Sequence, residues 1–179
     1  MAGLVTVSNI ALADDAAKPF LTEADAPLTK LLFPPAAADR DGTKAELASL
    51  KTCVATRSND TVNYATKDDD VSINHFLALI NIPIDIFSKP QTKSYFEALA
   101  ATVEAIVTPA KQAFNRSRPT ALDTAITSSI AAKTLGSYPS AHATLGYLYA
   151  VMLSEIAPEK RRNFSSEATA MPITAMFWD

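Results

Sequence analysis

One stretch constrains this chain more than any other: Phe96, Leu99, Val103, Ile106, Val107, Ala110 and Phe114 recur at spacings of three and four. That period puts all seven on one stripe of an α-helix and predicts a helix from about Gln91 to Phe114. A helix of that length must bury its stripe against another element. Strand signals are absent elsewhere, so the expected fold is all-α, a helical bundle. Pro109 falls inside the run and is expected to bend the helix or start a new turn.

Weaker patterns extend this reading along the chain. Asp41 is placed to cap a helix from about Thr43, with Ala45, Leu47, Leu50 and Val54 at helical spacing and a break at Ser58-Asn59-Asp60. Asp68-Asp69-Asp70 precedes Val71, Ile73, Phe76, Leu77 and Ile80, a second apolar helical run that ends before Pro83. A loop is expected from Thr120 to Gly136. Leu145, Leu148, Tyr149 and Met152 then suggest a buried helix through about Glu155, and Pro158 restarts a short charged stretch. Residues 42–162 therefore read as one helical domain. Residues 14–41, with Pro19, Pro27, Pro34 and Pro35 and little periodicity, read as an extended arm. Residues 1–13 read as a clipped secretory signal, because Ala11-Leu12-Ala13 matches a small-residue cleavage site, although no Lys or Arg precedes it. That implies a periplasmic or secreted protein.

Composition removes several function classes. A net charge of −3 gives no general basic field for nucleic acid or anionic lipid. The apolar stretches are far shorter than the ~20 residues that span a bilayer. Cys53 is the single cysteine, which excludes an internal disulfide and a cysteine-based zinc site and leaves it most simply as a buried small hydrophobe. With four glycines in 179 residues there is no phosphate-cradling glycine loop. An anion site must come from side chains and a helix end.

Two clusters supply both. In Lys111-Gln112-Ala113-Phe114-Asn115-Arg116-Ser117-Arg118-Pro119, the two cations Lys111 and Arg118 are seven apart and project from one side if the helix persists. Pro119 disfavours helical geometry at Arg118, so its guanidinium is expected at the helix end. A point charge beside a fork of donors suits a phosphate dianion. In Gly136-Ser137-Tyr138-Pro139-Ser140-Ala141-His142, a proline and serine open an apolar helix whose unpaired N–H groups and dipole favour an anion. His142, just inside, is placed to donate a proton to a leaving oxygen. Alone, a basic helix end more often complements the dipole, and a histidine after a helix cap more often bonds a carbonyl.

Together, in this order, the clusters resemble the bacterial class A non-specific acid phosphatases of the type 2 phosphatidic acid phosphatase superfamily. That superfamily carries Lys, six residues, then Arg-Pro; later Pro-Ser-Gly-His; and finally Ser-Arg, five residues, His, three residues, Asp. Lys111 to Pro119 fits the first element. Pro139 to His142 fits the second except at Ala141, where glycine is usual and where a side chain restricts φ. The resemblance runs from about Pro34 to Lys160 and includes Thr43-Lys44-Ala45-Glu46-Leu47 and Pro158-Glu159-Lys160-Arg161. It implies that Lys111, Arg118, Ser140 and the Ala141 N–H bind phosphate and that His142 is the general acid for the departing alcohol. A second histidine would attack phosphorus, with no metal or other cofactor. The implied ligands are small phosphate monoesters, inorganic phosphate or vanadate. The chain is also open to homo-oligomerisation.

The third element has no counterpart. The two histidines are His75 and His142, and His75 sits in an apolar helical run where packing is the simplest reading. Residues 163–179 lack the charged helical character expected there. Read out of frame from near Arg162, the tail permits Gly-Tyr-Ala-Tyr-Asn-Arg-Tyr-Val-Leu-Gly, which resembles the approach to the third element, with Asn at the position of Thr174. Two functions follow as expectations: a phosphomonoesterase by descent with weak or no turnover, or a phosphate-binding or interaction remnant. A vanadate-dependent haloperoxidase relative is a third, disfavoured by length, and a membrane lipid phosphatase is disfavoured by the lack of spanning helices.

Overall fold

The computed structural model describes residues 17–67, Ile73, Leu77, 89–129 and 133–165. These residues form helices and no strand: α1 (Leu28–Leu31), α2 (Asp41–Thr56), α3 (Asn59–Lys67), α4 (Pro90–Phe114), α5 (Pro119–Leu122), α6 (Ala141–Ile156) and a 3-10 turn (Pro158–Lys160). The fold is all-α. Among the described residues no helix is long and apolar enough to cross a membrane.

The stripe on α4 organises the core. Phe96, Leu99, Val103, Val107 and Ala110 are buried, and Ile106 and Phe114 are half-buried. Phe96, Leu99, Val103 and Val107 share a core with Leu145, Tyr149, Ala150 and Leu153 of α6, with Ile73, Leu77 and Phe164 closing the cluster. Phe96 and Tyr149 meet edge-on at 5.7 Å between ring centroids. Burying each large apolar side chain contributes roughly 1.5–3 kcal/mol, so the α4–α6 contact is the main source of stability. Pro90 stands at the first position of α4, where its missing N–H costs nothing, and Pro109 remains inside one continuous helix. The helix ends because Asn115 turns left-handed (φ 43°, ψ 42°), and its N–H caps the Lys111 carbonyl at 2.9 Å.

Several boundaries differ from the sequence expectation. Asp41 is the first residue of α2 rather than its cap; Arg40 holds the cap position, and Asp41 pairs with Lys44 at 3.3 Å. The break after α2 spans only Arg57 and Ser58. Asn59 and Asp60 open α3, where the Ser58 hydroxyl accepts the Thr61 N–H at 3.1 Å. The expected loop from Thr120 to Gly136 begins instead within the one-turn helix α5. Cys53 is half-buried. Phe164, assigned from the sequence to the atypical tail, is fully buried in the α4–α6 core.

The arm is irregular apart from α1, and it lies on the helical core. The Phe20 N–H donates to Thr102 Oγ1 at 2.8 Å, and the Phe20 and Tyr95 rings are 5.4 Å apart. The expected secretory signal at 1–13, His75 and Thr174 lie outside the described residues.

Candidate phosphate site

Lys111 lies in the last turn of α4 and is only 7 % exposed, unusual for a lysine. Its Nζ donates to the Gly136 carbonyl at 2.9 Å. Arg118 lies four residues past the helix, in extended backbone (φ −73°, ψ 149°), as a residue before proline should. Its Nε donates to the Leu135 carbonyl at 2.9 Å. Both cations are therefore tied to one loop, but not through helical periodicity. α4 stops at Phe114, the chain turns at Asn115, and both side chains are gathered by consecutive carbonyls of the loop that precedes α6.

That loop is docked on the end of α4 by its own backbone as well. The Ser137 N–H donates to the Arg116 carbonyl at 3.0 Å, and the buried Ser137 hydroxyl lies 3.4 and 3.3 Å from the carbonyls of Arg116 and Ser117. Tyr138 leans on Phe114, with ring centroids 5.4 Å apart, and its hydroxyl donates to the Phe33 carbonyl at 3.1 Å. The Tyr138–Pro139 peptide is cis. These contacts join the two sequence clusters into one structural unit.

α6 starts immediately beyond. Ser140 is its N-cap: the hydroxyl oxygen accepts the Ala143 N–H at 3.2 Å, and the Ser140 carbonyl accepts from the Thr144 N–H and hydroxyl. A serine cap of this kind satisfies one of the first-turn donors while its own proton can still be donated outward. Ala141 and His142 occupy the first two helical positions, where N–H groups have no partner within the helix and the dipole is positive. His142 is half-buried, with Nε2 buried. The unit thus carries two cations held by one loop, a serine cap and a helix start, groups of a kind that suit an anion.

Sequence reasoning assigned no role to the residues that hold this unit in place. Arg116 is one: its guanidinium pairs with Glu46 of α2 at 2.6 Å while its carbonyl receives Ser137. Lys51 of α2 pairs with Asp123 at 2.9 Å, and Arg57 at its C-terminal end donates to the Thr127 carbonyl at 3.1 Å, so α2 braces the chain after α4 at these two points. The Glu46 that helped carry the resemblance is one of these props. A hollow of about 220 Å³ lies between residues 35–38 of the arm and Asn115, Arg116 and Ser117. Among the described residues no cluster of three or more His, Cys, Asp or Glu side chains is placed to hold a metal.

Residues 92–178 match the PAP2 superfamily. The match covers just under half of the chain and takes in Lys111, Arg118, Ser140, Ala141 and His142, the superfamily motifs that the sequence resembles. It also runs through residues 163–178, the segment set apart in the sequence reading. No curated protein matches the chain.

Proposed function

We propose that this chain carries the phosphate site of a class A non-specific acid phosphatase, acting on phosphate monoesters outside the cytoplasm. The observation that carries the reading is the direct joining of the two motifs: Lys111 to Gly136, Arg118 to Leu135 and Ser137 to Arg116. Lys111 and Arg118 neutralise the phosphate dianion, Arg118 with planar donors and Lys111 as a point charge. Ser140 and the Ala141 N–H complete the cradle at the positive end of α6. His142 passes a proton to the ester oxygen as the phosphorus–oxygen bond breaks and the electron pair leaves with the alcohol.

Phosphorus must gain a bond from the opposite side. In the resembled family a second histidine supplies it, forming a phosphohistidine that water later hydrolyses. No histidine follows His142 in the 179 residues, which favours a second reading for this polypeptide by itself: it binds phosphate with little turnover. Groups that act as a unit lose most of their effect together. The purified 179-residue chain is therefore expected to hydrolyse p-nitrophenyl phosphate at acidic pH slowly or not at all. Robust hydrolysis that His142→Ala abolishes would mean that another residue attacks phosphorus.

A further inference from the structure

We propose that Gly136 is a positioning residue that sets the separation between the cation pair and the start of α6; its bearing on the ligand rests on the phosphate reading above. A Cβ at this position would lie 3.2 Å from Arg116 N, 3.2 Å from Arg116 O and 3.2 Å from Lys111 O. All three are backbone atoms, one in the last turn of α4 and two at Arg116 just past it, and none can swing away as a side-chain tip would. Gly136 has no positive φ, so conformational freedom is not what the position requires. It requires space.

Gly136 and its two chain neighbours also hold the junction together. Leu135 and Gly136 present the carbonyls that orient Arg118 Nε and Lys111 Nζ, and Ser137 donates to Arg116 at 3.0 Å. Three residues after Ser137, Ser140 caps α6. A methyl group at Gly136 pushes this loop away from the α4 end by a few tenths of an ångström, because the Lys111 carbonyl is fixed in the last helical turn and Arg116 is anchored to Glu46. The carbonyl contacts to both cations then lengthen, and the α6 start moves relative to them. A phosphate spanning the cations and the helix start loses its fit, while the α4–α6 core stays intact. Gly42, near the start of α2, is the matched control: a Cβ there meets nothing within 4 Å.

The test compares the unsubstituted 179-residue chain with Gly136→Ala, Gly42→Ala and Arg118→Ala by amide hydrogen exchange and by calorimetry with inorganic phosphate. Gly136→Ala is expected to speed exchange of the Ser137 amide about fivefold or more, with Val103 and Val107 still protected. It should weaken phosphate several-fold, and add little further loss in the Arg118→Ala background. Gly42→Ala should change neither reading. Unchanged Ser137 exchange in Gly136→Ala overturns the proposal, whatever the phosphate result. If exchange quickens but phosphate affinity does not fall, Gly136 is a packing residue alone and its positioning role is overturned. Phosphate binding that Arg118→Ala leaves unchanged instead overturns the parent reading, and the exchange result still decides the spacing role. Should Gly136→Ala fail to fold, nuclear Overhauser contacts in the unsubstituted chain decide: contacts between the Gly136 α-protons and the Arg116 amide proton are expected, and their absence overturns the close approach.

Discussion

The end of α4 and the start of α2 are both junctions of helix and loop, and they are held in opposite ways. At the start of α2 the polar groups face water: Lys44 and Asp41 are 65 % and 100 % exposed in their ion pair, no side chain caps the helix, and Gly42 borders open space. One buried tie, Thr43 Oγ1 to the Ala37 carbonyl at 2.9 Å, holds that turn to the arm. At the end of α4 a buried lysine, a half-buried arginine and a buried serine all donate to backbone carbonyls, with a glycine pressed against three backbone atoms. Exposed ion pairs contribute about 0–1 kcal/mol and tolerate change. A buried cation must be tied down, because an unpaired one is costly, and that cost makes its position well defined. The difference marks the α4 end as the place where the chain spends stability on geometry.

The largest effect should come from loosening the helices behind that junction. Leu153→Ala removes a nearly fully buried side chain of α6 that packs in the core with α4. A loss of about 2–5 kcal/mol in chemical denaturation is expected. A loss below about 1 kcal/mol would mean that α6 is not locked to α4, and the contrast between the junctions would dissolve.

Next in size is the cap of α6. Ser140→Ala removes the acceptor of the Ala143 N–H and should cost about 0.5–2 kcal/mol. Ser140→Asp should recover the stability through its own side-chain acceptor while repelling phosphate. If both variants bind phosphate as the unsubstituted chain does, Ser140 is a cap and nothing more.

The smallest effect sharpens the role of α2 as a prop. Hydrogen bonds from Lys51 and from the Ala125 N–H hold the Asp123 carboxyl below its ordinary 3.8. Folding favours the ionised carboxylate, so its contribution is complete above that value and is lost as pH falls through the lowered one. In Lys51→Met, an NMR titration should show Asp123 moving back toward 3.8. No movement would mean that Lys51 does not hold the α5 segment.

Much of this was legible from the sequence. The α4 stripe and the apolar run after Pro139 have strong helical period, and packing followed the period. Ser140 was readable as a cap because proline and serine precede an apolar run. α3 was missed: Asn59–Lys67 is polar on average, and its narrow apolar face, with Val62 half-buried and Ala65 buried, is short beside the Ser58 cap that opens it. The helical spacing expected to align Lys111 and Arg118 does not hold, because seven residues of helix would need Asn115 to stay helical. Its left-handed turn instead throws Arg118 onto a loop 17 residues away in sequence. No local pattern reports such a contact. The role of Gly136 was equally hidden, since the backbone atoms it approaches belong to residues 111 and 116.

The central claim is that two sequence motifs form one phosphate site, and calorimetry with inorganic phosphate at low ionic strength tests it most directly. The unsubstituted chain should bind phosphate, and Arg118→Ala, which removes charge-assisted hydrogen bonds worth about 1.5–3 kcal/mol, should bind it roughly 10- to 150-fold more weakly. Equal affinity in the two proteins, or no binding by the unsubstituted chain, would contradict the account.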